Sequence, residues 1–224
     1  MIAQKFEELR TKHRKFYNAV KRLHDSFTNQ RGHDMYHNVH VAIYGLMVAD
    51  EAIRELVWLA AIPHSLDRIA GDESFETNVR NCLRLVEGIS ATDLDTVFDA
   101  VMKHGRLNDE SDSPVLVALK DADRLANLQL TLVIRAGQHR PNIPACEMRH
   151  LRTSNPLCPA SDPASHSKPQ SVFDDLRYCS ANWPRMMRTD AGERLVEPLV
   201  QEIKDFLDKA TKQYEELGMD QIEI

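Results

Sequence analysis

Leu119-Lys120-Asp121-Ala122-Asp123-Arg124-Leu125-Ala126-Asn127-Leu128 sets two acids and an arginine inside a segment that is apolar on both sides. Just upstream, Ser113-Pro114 reads as a cap followed by proline at the first helical position. The stretch is therefore helical, and the helix is expected to run past Leu130 to about Arg135. A buried acid needs a partner charge or a metal ion to offset its desolvation.

Two earlier stretches offer what such an acid would need. Gly32-His33-Asp34-Met35-Tyr36-His37-Asn38-Val39-His40-Val41 opens a helix expected over Tyr36 to Ala49. His37 and His40 are three apart and share a face. His33 precedes the helix and could cap it or bond Asp34. Ala60-Ala61-Ile62-Pro63-His64-Ser65-Leu66-Asp67-Arg68 follows the buried-looking run Leu56 to Ile62. A histidine emerging from such a run is either a satisfied core residue or a ligand. A helix-borne His, a His ending an apolar run and an Asp on a third apolar helix can converge in a helical bundle. Imidazole with carboxylate suits Zn, Mn, Fe or, with more oxygen ligands, Mg.

The rest of the chain supports an all-helical reading. Only eight of 224 residues are glycine, and a period near 3.6 dominates. Phe6, Leu9, Phe16, Val20, Leu23 and Phe27 give a helical stripe. A helix from Ala52 to about Ile69 kinks or restarts at Pro63. Further helices are expected over Thr77 to Val86, from a Thr92 cap through Lys103, from Ser171, and from a Thr189 cap to Gly218. Gln138 to Gln170 holds six of the ten prolines without apolar periodicity, and reads as a long loop, mobile or covering a site.

Hydrophobic residues at 42% and charged residues at 28% imply one globular domain over 1–224. No apolar run suits a transmembrane helix, and no signal core opens the chain. The net charge of −6 argues against a polymeric nucleic-acid partner, although residues 1 to 31 carry eight Lys or Arg against three acids. That excess is read as a solvated helix face rather than a docking surface. Cys82, Cys146, Cys158 and Cys179 lack zinc-knuckle spacing and read as reduced thiols of a cytoplasmic protein, with Cys82 as buried packing. Of the ten histidines, His13, His24, His139, His150 and His166 are taken as surface residues.

Over about residues 20 to 210 the chain resembles the HD-domain superfamily of metal-dependent phosphohydrolases, most closely its stand-alone bacterial members. In these a helix opens with His-Asp-x-x-His-x-x-Arg-Val, here His33-Asp34-Met35-Tyr36-His37-Asn38-Val39-His40-Val41. The late phrase Ala-Asp-Arg-Leu is intact as Ala122-Asp123-Arg124-Leu125. Lys120 and Asn127 around it also resemble the guanosine polyphosphate hydrolases. Arg188 to Leu195 is similar to the start of the stand-alone group's last helix. The His-Asp doublet is altered to His64-Ser65, and the phrase's arginine to His40.

The resemblance implies an all-α, HD-domain-like bundle and a divalent cofactor (Mn, Fe, Zn or Mg) held by His37, His64 and Asp123. Serine is a poorer ligand than aspartate, so one ion is more plausible than two. Asp67 is a candidate base for the attacking water, and His104 falls where related proteins often carry a histidine facing metal or phosphate. Arg68, Lys103 and Arg124 are candidate phosphate-binding donors. The partner implied is a phosphorylated small molecule or nucleotide. The alternatives are a degenerate HD domain that binds without turnover, and a metal-free helical interaction protein.

Overall fold

The computed structural model describes residues 1–27, 32–70, 72–157 and 169–221, and all regular structure among them is helical. The chain divides into two compact units, residues 1–126 with 188–192, and 127–187 with 193–224.

The first unit begins with α1 (Ile2–Lys12) and α2 (Arg14–Asp25), separated at His13. The expected stripe is present, but two histidines belong to it: His13 and His24 are buried, against the surface role expected of them. Phe6, Leu9, His13, Phe16, Val20 and His24 recur every three or four residues, so they share the inward side. His13 bonds Glu55 at 2.5 Å and lies beside Trp58. Phe6, Phe16 and Tyr17 complete a ring cluster around Trp58, with centroids 5.9 to 6.3 Å away. The basic residues of this stretch are largely matched: Lys5, Arg10, Lys12, Lys15 and Lys21 each sit against an acid.

Helix α3 (Met35–Val48) packs on α4 (Arg54–Ala61), and α5 (Leu66–Ala70) restarts the chain beyond Pro63 as expected. Then come α6 (Asp72–Leu83) and α7 (Ala91–Lys103). The cap of α7 is Ser90, not Thr92: its hydroxyl accepts the Asp93 N–H at 3.1 Å. Helix α8 (Pro114–Asn127) stops short of the expected end, and α9 (Leu132–His139) is separate.

Gly45 decides how closely these helices approach. A Cβ there would lie 2.8 Å from Cγ1 of Val57 on α4 and 3.9 Å from Cβ of Ala122 on α8. Valine is stiff about χ1, so the nearer clash is relieved only by backbone movement. Gly45→Ala is expected to cost about 1–3 kcal/mol, the usual range for overpacking, despite alanine's better helix propensity. Chemical denaturation measures it; a gain in stability would contradict the close approach.

In the second unit, α10 (Val172–Asn182) packs on α9, and Phe173 meets Phe206 and Tyr214 of α11 (Asp190–Glu216). Ser171 caps α10 as expected, and Gly218 follows α11 with φ of 68°. Residues 140–157 form no long helix, yet they are fastened down. Pro144 and Ala145 carbonyls accept the Val172 and Phe173 N–H groups at 3.0 Å. The Arg177 guanidinium donates to the His150 and Leu151 carbonyls, and Leu151 is buried. The described part of the expected loop is therefore docked on its own unit, while 158–168, including Cys158 and His166, lies outside the described residues. No described helix is long and apolar enough to cross a membrane.

Candidate metal centre

His37, His64 and Asp123 come from three elements of the first unit and meet at one point. Their nearest ring nitrogens and carboxylate oxygen all lie within 4.8 Å of one another. The two Nε2 atoms are 3.2 Å apart, and Asp123 Oδ1 is 3.3 Å from His37 Nε2 and 3.6 Å from His64 Nε2. Bonds of about 2 Å to a tetrahedral ion place neighbouring ligand atoms about 3.3 Å apart, so the three separations suit one divalent ion. Among the described residues no other trio of His, Cys, Asp or Glu converges in this way.

Local structure aims each group. The Asp34 carboxylate accepts the His37 N–H at 2.9 Å and caps α3, so Asp34 rather than His33 fills that position. The His64 Nδ1–H donates to the Ala61 carbonyl at 2.7 Å, which leaves Nε2 with its lone pair toward Asp123. A bare lone pair facing a carboxylate oxygen is unfavourable. The arrangement calls for positive charge between them, either a proton on imidazole or a metal ion. Asp123 is held on α8, whose neighbour Asp121 is fully buried. Asp121 Oδ2 accepts from the N–H groups of Arg188 and Thr189 and from the Thr189 hydroxyl at 2.8 to 2.9 Å. Thr189 Oγ1 in turn caps α11 by accepting the Gly192 N–H at 3.0 Å.

Electrostatics agree with the geometry. Burial opposes ionisation of Asp123, but the hydrogen bonds and charges of His37 and His64 outweigh it and hold the carboxyl well below its usual range. The two imidazoles are buried, while 26% of the Asp123 side chain is exposed. His104 stacks edge-on against His64 with centroids 5.3 Å apart. Its Nδ1–H donates to the Val101 carbonyl at 2.7 Å, and burial, then the charge of His64, lower its pKa.

The remaining candidates are placed as follows. Asp67 has Oδ1 buried without a hydrogen-bond partner and Oδ2 at 3.3 Å from Arg68 Nε. Arg68 is exposed. Lys103 pairs with Asp99 at 2.7 Å. Arg124 reaches Asn108 at 2.8 Å and Asp121 at 3.5 Å. Lys120 is buried and donates to the Leu107 carbonyl and to Asp112.

Sequence reasoning gave no role to His24 and Asn38, which lie buried behind the trio. Asn38 Nδ2 is 2.9 Å from His24 Nε2 and 2.7 Å from the Ile62 carbonyl, while the Ser65 hydroxyl donates to Asn38 Oδ1 at 2.6 Å. The four-residue spacing of Phe16, Val20 and His24 was the available signal. Burial, followed by the charge of His64, lowers the His24 pKa to about 4. Between pH 6.5 and 4 the unfolded chain therefore binds a proton that the folded chain refuses, and stability falls as pH falls through that window. In metal-free protein His24→Gln is expected to flatten this slope; denaturation at pH 7, 5.5 and 4.5 tests it, and parallel curves for the two proteins would refute it.

No family model matches the chain, and no curated protein does. Among solved structures, a structural-genomics target from Lactobacillus plantarum is similar, with a TM-score of 0.70 at 13% identity, covering 92% of this chain and 97% of that one. That likeness is one of fold.

Proposed function

We propose that the chain is an HD-domain-like, metal-dependent phosphohydrolase acting on a phosphate ester or nucleotide in the cytoplasm. The observation that carries this reading is the spacing of His37 Nε2, His64 Nε2 and Asp123 Oδ1, which suits one divalent ion of the Mn, Fe, Zn or Mg class. Such an ion supplies Lewis acidity toward a phosphoryl oxygen and lowers the pKa of water. Three protein ligands leave further positions for water and substrate.

The chain's own residues supply the rest. Asp67, with one oxygen lacking a hydrogen-bond partner, accepts the proton of the attacking water. His104, donating through Nδ1 to the Val101 carbonyl and kept neutral by burial, offers Nε2 as an acceptor for a proton of water or of a substrate hydroxyl. Arg68, Lys103 and Arg124 are the candidate donors to phosphate oxygens, and a small anionic substrate fits the net charge of −6 better than a nucleic-acid polymer does.

A second reading, binding without turnover, is favoured by Ser65, whose hydroxyl is committed to Asn38. Elemental analysis of chelator-free protein, with p-nitrophenyl phosphate hydrolysis in Mn²⁺, separates the two. About one ion per chain and chelator-sensitive turnover are expected. An ion without turnover favours the second reading, and no ion under any loading condition overturns both.

A further inference from the structure

We propose that Ser65, Asn38 and His24 form a brace that sets the spacing of the two histidine ligands, with Ser65 as its closing donor rather than a weakened metal ligand. The proposal rests on the metal-centre reading above. The three side chains are 0 to 1% exposed, so their hydrogen bonds do not compete with water. They come from three places in the first unit: His24 from α2, Asn38 from α3, and Ser65 from the turn between α4 and α5.

The donor and acceptor assignment is unique. The Ile62 carbonyl can only accept, so it fixes which end of the Asn38 amide is nitrogen. The second N–H of that nitrogen meets His24 Nε2, which therefore accepts. The amide oxygen is left for the Ser65 hydroxyl. Both amide hydrogens and the amide oxygen are used.

What the brace joins gives it meaning. Asn38 directly follows His37 in the chain, and Ser65 directly follows His64. The Ser65–Asn38 bond at 2.6 Å and the Asn38–Ile62 bond at 2.7 Å therefore tie the backbone beside one ligand to the backbone on both sides of the other. Close by, the two Nε2 atoms stand 3.2 Å apart, near the ~3.3 Å that an ion with ~2 Å bonds requires. At that distance the two rings can share a hydrogen bond when no ion is present, and the Asn38 bonds fix the backbone positions from which both rings reach when an ion replaces that proton. An aspartate at position 65 would turn an acceptor toward Asn38 Oδ1, and two acceptors cannot share that bond.

Cobalt(II) titration followed by visible d–d absorption tests the brace. Ser65→Ala is expected to weaken Co²⁺ binding about ten- to a hundredfold, the usual effect of removing a group that orients ligands, and to alter the band shape at saturation. Ser65→Thr, which keeps the hydroxyl, is expected to restore both. Band shape at saturation reports ligand geometry and would not move if the hydroxyl mattered only for folding. Wild-type affinity and band shape in Ser65→Ala would overturn the brace, as would tighter binding by Ser65→Asp. If Ser65→Ala does not fold, His24→Phe removes the acceptor at the far end and is expected to weaken Co²⁺ binding; unchanged binding there overturns the proposal equally. Failure of wild-type protein to bind Co²⁺ any better than His37→Ala would instead reject the metal centre itself.

Discussion

On the proposed metal-dependent phosphohydrolase reading, Asp123→Ala is expected to lower Mn²⁺ affinity by more than about a hundredfold and to remove turnover, a larger effect than losing an orienting group. Asp123 is the only carboxylate of the trio, so its loss leaves two neutral imidazoles against a doubly charged ion. Its pKa, held well below the usual range by the two histidines, means that it is ionised at any working pH. Asp123→Asn keeps the shape and discards the charge, so it is expected to fall near Asp123→Ala. Isothermal titration measures the affinity, and circular dichroism checks the fold. Retention of Mn²⁺ affinity by Asp123→Asn would show that charge at this position is irrelevant to the ion.

Trp58→Ala is expected to have the largest effect on stability, about 3–5 kcal/mol. Trp58 is fully buried, and Phe6, His13, Phe16 and Tyr17 all lie around its ring. Removing it leaves a cavity that three helices would have to collapse into. Its indole N–H has no hydrogen-bond partner, so Trp58→Phe sheds a desolvated donor and most of the loss is recovered. Urea denaturation with an unchanged m-value is the measurement. A cost below about 1 kcal/mol for Trp58→Ala would mean that this ring cluster is not the core of the first unit.

Much of this architecture was legible from residue types alone. The period near 3.6 located most helices, and Pro63 marked the interruption that brings His64 out of α4. Residue types pointed to three stretches where an apolar pattern admits polar groups, and the resemblance to the HD superfamily singled out His37, His64 and Asp123 among them. Other features depend on contacts that no local pattern encodes. Gln129-Leu130-Thr131 contains neither glycine nor proline, yet the helix ends at Asn127 and restarts at Leu132. His13 and His24, expected on exposed helix faces, are buried, because both fall on the stripe shared by Phe6, Leu9, Phe16 and Val20. Ser65 was legible only as a missing carboxylate. Its bond to Asn38 joins positions 27 residues apart and exists only once α3 and the turn after α4 have met.

The carboxylate of Asp121 carries a consequence for biosynthesis. Its three donors at residues 188 and 189 lie 67 and 68 positions further along the chain. At about 5–20 residues per second, translation delivers them roughly 3–14 s after Asp121 itself. During that interval the nascent chain already holds His37, His64 and Asp123, but Asp121, on the same helix as Asp123 and bound for the interior, has only the long Arg124 contact at 3.5 Å and lacks the three donors to its Oδ2. The segment carrying His37, His64 and Asp123 is thus born early and finished late, its last fastening made by residues 188 and 189.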